Sequence, residues 1–92
     1  MPCVNRNPNP VFEDDYRLVR ELLLDARRRA GFSQRRLGRL LGRSASHICM
    51  IEVGQRRVDL LEFHKMALVL GEDPRDLFGR LADVLGPRRT PP

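Results

Sequence analysis

Two serine-to-glycine spans set almost end to end, Ser33 to Gly42 and Ser44 to Gly54, constrain the fold of this chain more than any other feature. A serine just before an apolar-periodic run caps the unpaired N–H groups at a helix start, and a glycine just after it takes the left-handed turn that ends one. Inside the spans, Leu37, Leu41, Ile48 and Ile51 supply the apolar side, while basic and small polar residues fill the remaining faces. Two helices this short, joined through a turn this tight, cross at a steep angle, the second held outward by the first.

The same punctuation divides the rest of the chain. Residues 1–12 carry three Pro and three Asn with little apolar content and read as a flexible arm, taken as 1–14. Val19, Leu22, Leu23, Ala26 and Ala30 then recur at helical spacing, which predicts a first helix over 15–30 ended by Gly31. Helices over 34–41 and 45–53 follow from the two capped spans. Asp59 and Glu62 form a capping box for a fourth helix that ends at Gly71. Asp73-Pro74 starts a fifth over 75–85, and Gly86-Pro87 opens a flexible tail, 86–92. No period-two alternation occurs, so the chain is expected to be all-α.

Ninety-two residues suit one small domain, and a chain of this size gains from a partner subunit. No run of roughly 18 apolar residues is present, and the N-terminal stretch lacks the apolar core of a signal peptide, so a cytoplasmic protein is expected. Cys3 and Cys49 do not make a disulfide framework, and reduced thiols fit that compartment. The net charge of +5 conceals a strong asymmetry. Residues 17–57 hold eleven Arg against Glu21, Asp25 and Glu52, a local balance of +8, while both flanks are slightly acidic. Basic charge concentrated on one segment points to a polyanion partner. No Ser-His-Asp set, phosphate-cradling glycine loop or paired-carboxylate cleft can be assembled, so neither catalysis nor a cofactor is expected. His47 and Cys49, two apart on a helix, point in different directions and make a poor metal pair.

The motifs run in order as Phe32-Ser33-Gln34, Leu37-Gly38, Leu41-Gly42, Ser44 to Ile48, Ile51-Glu52-Val53-Gly54 and Arg57-Val58-Asp59-Leu60, continuing through Ala67, Leu70-Gly71, Pro74 and Leu77-Phe78. In this register the chain resembles the lambda-repressor-like, Cro/CI-type (XRE) family of DNA-binding domains over residues 15–85. The resemblance implies a compact five-helix domain with the helix-turn-helix at its second and third helices. It implies a core of Leu37, Leu41, Ile48, Ile51, Leu60, Phe63, Met66, Leu70, Leu77 and Phe78, with His64 partly buried where the family places a core Leu. Gly38 stands where the family usually has Ala, and either residue should let the third helix approach the second. The family likeness also pairs Arg27 with Glu52 as scaffolding.

The resemblance further places Gln34 at a phosphate, Ser44 as cap and phosphate contact, and Ala45, Ser46, Cys49 and Met50 on the exposed face of the third helix with His47 beside them. Gln55, Arg56 and Arg57 fall in the loop that grips the DNA backbone, while Arg35, Arg39 and Arg43 add charge nearby. No Arg, Asn or Gln lies between Ser44 and Val53, so the usual bidentate reading of guanine or adenine is missing. Ala45 and Met50 can instead meet a thymine methyl, and Ser46 and His47 can hydrogen-bond to several bases.

Leu61, Lys65 and Leu68 form one stripe of the fourth helix, and Leu81, Val84 and Leu85 make the fifth more apolar than a solvated helix requires. These six residues are the expected seam of a homodimer that spans a palindromic operator, its recognition helices about 34 Å apart. The expected function is therefore that of a dimeric repressor acting by operator occupancy on double-stranded DNA. Two alternatives fit the same fold. One is an antitoxin that represses its own operon and binds a toxin through the leucine stripe or a tail. The other is a protein-interaction module that has given up DNA.

Overall fold

Four of the five helices begin at a side chain that stands in for the missing preceding turn. In the computed structural model, which describes residues 14–86, Ser33 Oγ accepts the Arg36 N–H at 3.0 Å and Ser44 Oγ the His47 N–H at 3.1 Å. Asp59 takes the Glu62 N–H at 2.7 Å and Asp73 the Arg75 N–H at 2.9 Å. The resulting elements are α1 (Asp14–Ala30), α2 (Gln34–Leu41), α3 (Ala45–Glu52), α4 (Leu60–Val69) and α5 (Pro74–Leu85). Each lies within two residues of the bounds that caps and periodicity predict, and the described residues contain no strand. Apart from Asp14 and Gly86, the expected arm and tail lie outside the described residues.

α1 packs against α3 and α5, α2 against α3 and α4, and α4 against α5. Leu23 and Ala26 of α1 meet Leu37, Ile48, Phe63, Met66, Ala67, Leu70 and Leu77 in one continuous core. Full burial of each large aliphatic side chain here contributes about 1.5–3 kcal/mol. Three residues depart from the expected core. Leu60 is 80 % exposed: it shares the helix side of Phe63 and Ala67 but, as the first residue of α4, lies one turn before the first buried position. Phe78 is half exposed, its ring edge-to-face with that of Phe63 at a centroid distance of 6.1 Å. His64 is exposed, one residue round from the inward row of α4. Leu41 is half-buried against the cluster.

The α2–α3 turn is closed by Gly42 at φ 72°, a left-handed conformation that a Cβ would strain, and the Arg43 N–H returns to the Gly38 carbonyl at 2.7 Å. That return brings the backbone so close to α2 that a Cβ on Gly38 would lie 2.8 Å from the Ser44 carbonyl oxygen and 2.9 Å from that of Arg43. The alanine that sequence comparison treats as equivalent does not fit here without moving the turn.

Three helices are tied together by one carboxylate. Glu52, at the end of α3, receives Arg27 Nε at 2.6 Å and Arg27 Nη2 at 3.1 Å, and Gln34 Nε2 of α2 donates to it at 2.7 Å. Arg27 also donates from Nη1 to the Phe32 carbonyl at 2.7 Å, and the Arg27 and Glu52 side chains are only 12 % and 8 % exposed. No buried side-chain N or O atom among the described residues lacks a partner. A bidentate, nearly dry pair of this kind is costly to half-remove, because the surviving charge stays buried.

Two stability measurements check this account. Gly38→Ala should lower the unfolding free energy by about 1–2 kcal/mol in a denaturant titration, overpacking outweighing the helix propensity that Ala adds; equal or higher stability would show that the turn yields freely. Arg27→Met should cost about 3 kcal/mol, whereas Arg17→Met, which breaks the exposed Arg17–Glu21 pair on the same helix, should cost less than about 0.5 kcal/mol.

Candidate nucleic-acid interface

The exposed face of α3 follows from the rotation of its side chains by about 100° per residue. Ile48 and Ile51 are fully buried, and Glu52 lies between them and Cys49 on the same inward arc. That arc is wider than the sequence pattern indicates. His47 flanks one end of it with its side chain 10 % exposed, and Cys49 flanks the other at 8 %. Both are thereby removed from the surface on which they were expected. Cys49 is also disulfide-bonded rather than a reduced thiol, and Cys3 lies outside the described residues. What remains outward is Ser46, exposed, with Met50 half-buried one turn on and Val53 41 % exposed at the end. Ala45 is half-buried at the helix start.

Around this strip the basic residues divide into two groups. Arg35 and Arg39, one turn apart on α2, and Arg56 in the loop after α3 are exposed and make no ion pair among the described residues. Ser44 is exposed as the α3 cap, Arg57 is exposed and Gln55 half-buried. Arg43 is half exposed, but its Nε lies 3.4 Å from a Glu62 carboxylate oxygen. Gln34, expected at a phosphate, is half-buried with its amide committed to Glu52. Its role in the free protein is to brace α2 against α3. Arg36 lies over the Phe32 ring at 4.1 Å.

The part that three residues play at this surface is not visible in the sequence pattern. Tyr16 of α1 accepts the Val58 N–H at 2.7 Å through its hydroxyl, and burial raises its pKa, keeping the phenol neutral. Arg20, one turn further along α1, donates to the Glu52 carbonyl at 3.2 Å and lies beside Gly54, whose φ of 84° completes the turn. A cation on the last carbonyls of α3 complements the negative end of that helix. Tyr16 and Arg20 thus hold the two ends of the loop that carries Gln55, Arg56 and Arg57. Their four-residue spacing is visible in the sequence, but their partners lie more than 30 residues away. The third residue is Glu62, whose carboxylate accepts from His47 Nε2 at 2.9 Å as well as facing Arg43.

Among the described residues no three His, Cys, Asp or Glu side chains cluster as a metal site would require, and no helix is long and apolar enough to cross a membrane. A sequence model of the Helix-turn-helix family matches residues 23–77, most of the described domain. Among solved structures, the chain is similar to an XRE-family like protein from Pseudomonas syringae pv. tomato str. DC3000, at 36 % identity and a TM-score of 0.72. That match covers 79 % of this chain and 88 % of the other. It is also similar to the restriction-modification controller protein C.AhdI from Aeromonas hydrophila, at 36 % identity and a TM-score of 0.63, over 70 % of this chain and 97 % of that one. No match was found among curated protein sequences. With a capped, outward α3 braced by α1 and α2 inside the matched span, the chain belongs to the XRE family of helix-turn-helix proteins and is a DNA-binding transcription regulator.

Proposed function

We propose that the protein is a dimeric, non-enzymatic repressor that occupies a palindromic operator with α3 in the major groove. The observation that carries this reading is the outward strip of Ser46, Met50 and Val53 together with the exposed cations Arg35, Arg39 and Arg56, which make no ion pair among the described residues. The arginines and the Ser44 end of α3 hold the phosphates, which positions the protein without reading sequence. The strip itself is small and largely apolar. It suits thymine methyl groups and offers no bidentate partner to guanine or adenine, so discrimination rests on DNA shape and bridging water. With His47 and Cys49 turned inward, shape carries more of the specificity than the residue pattern indicates. A protein that works on chromosomal DNA resides with the nucleoid in the cytoplasm.

The dimer reading is supported by the outer faces of α4 and α5. Leu61 and Leu68 are 71 % and 55 % exposed on either side of Lys65, opposite the core-facing row of α4. Val84 and Leu85 are exposed at the end of α5. Leu81 drops out of the expected seam: at 5 % exposure it packs inward, one turn from the fully buried Leu77. The half-exposed Phe78 and the exposed Leu60 add to the large apolar side chains left at the surface. Leaving this many large apolar side chains in water is unfavourable for a monomer of this size.

Electrophoretic shift of the protein's own upstream DNA across a salt series tests the regulator reading. Binding that weakens steeply with salt yet survives competitor DNA is expected; no shift at micromolar protein would leave the interaction module as the better reading. In the same assay Arg56→Ala should weaken binding to all sequences alike and reduce the salt slope by about one unit. Leu61→Glu combined with Leu68→Glu should give monomers by light scattering, and an intact dimer would remove α4 from the seam.

A further inference from the structure

We propose that Glu62 is a positioning residue that holds Arg43 off the phosphate backbone and so sets the affinity of this protein for duplex DNA. This inference rests on the reading of the α2–α3 surface as the DNA face. Glu62 belongs to α4, behind the recognition helix, and one of its carboxylate oxygens serves two residues of that surface, His47 Nε2 at 2.9 Å and Arg43 Nε at 3.4 Å. A carboxylate only accepts, so His47 Nε2 carries the proton of that bond. The His47 and Glu62 side chains are 10 % and 11 % exposed, while Arg43 is 53 % exposed. One partner of the carboxylate is therefore anchored and the other faces water.

Local rules send Glu62 elsewhere. As the third residue after the Asp59 cap, Glu62 is expected to turn its side chain back to the Asp59 N–H. Asp59 does receive the Glu62 N–H, but the hydrogen bond and ion pair of the Glu62 carboxylate run to α3 and the turn before it. A departure from local preference of this kind marks a place where the tertiary structure uses the group. An acidic group beneath a surface that meets phosphates opposes binding, and here it also occupies the cation at the entrance to α3. A half-exposed pair is weak, so phosphate can draw Arg43 away, at a cost that lowers affinity by roughly threefold.

Glu62→Gln tests this, because Gln keeps an acceptor for His47 and a similar volume while removing the charge that holds Arg43. Affinity for a fluorescein-labelled random-sequence duplex, read by anisotropy at fixed low salt, should rise about threefold. The gain should vanish when Arg43 is already Ala. A gain that persists undiminished with Arg43→Ala would overturn the proposal, since Glu62 would then act by general repulsion. Unchanged or weaker binding by folded Glu62→Gln would overturn it as well. If Glu62→Gln fails to fold, Glu62→Asp, which keeps the charge but shortens its reach to Arg43, must raise affinity in the same Arg43-dependent way. Failure of the unaltered chain to bind the duplex would overturn the DNA reading together with this one; normal binding by the unaltered chain with no effect of Glu62→Gln overturns this one alone.

Discussion

The orientation in which α3 meets a partner depends first on the Arg27–Glu52 pair. Eight residues cannot hold a helix in water by themselves, so the orientation of α3 must come from what surrounds it. Ile48 and Ile51 supply the packing, but packing alone tolerates rotation and sliding. The forked contact from Arg27, the Gln34 amide on the same carboxylate and the Arg20 donor on the Glu52 carbonyl fix the far end of α3 against α1 and α2 at once. At its near end the close passage of the turn over Gly38 does the same through backbone contact. A rigid lever with both ends constrained keeps Ser46, Met50 and Val53 pointed outward as a single small surface.

The arginines are not a uniform basic coat. Arg20 and Arg27 are structural, spending their charge on a buried carboxylate and a helix terminus. Arg17 and Arg29 pair along the exposed side of α1. Arg35, Arg39 and Arg56 are exposed and have no acidic partner among the described residues, and Arg43 stands between the groups, half exposed and held by Glu62. A count of charge over residues 17–57 therefore overstates the field available to a polyanion. What a phosphate meets is decided by which cations the fold has left uncommitted.

Much of this protein was readable before any fold was known, and for a definite reason. Helix bounds depend on side chains within four residues of one another, so Ser33, Ser44, Asp59 and Asp73 announced their helices correctly. The Arg27–Glu52 link came from the resemblance rather than from spacing, and it too holds. The errors share a cause. Cys49, His47, Leu81, Leu60 and Phe78 each lie near the edge of a helix's buried arc, where a rotation of a fraction of a turn, or a place at a helix end, decides between core and solvent. Periodicity names the centre of an arc well and its margins badly.

Local chemistry therefore settled the number of helices, their caps and the order of core rows, because those depend on near neighbours along the chain. The width of the presented face, the diversion of Glu62 from its own cap to His47 and Arg43, and the division of arginines into bound and available emerged only once α1 and α4 had closed around the turn. Those features depend on groups 15 to 42 positions apart meeting through space, and no periodicity along the chain records such a meeting.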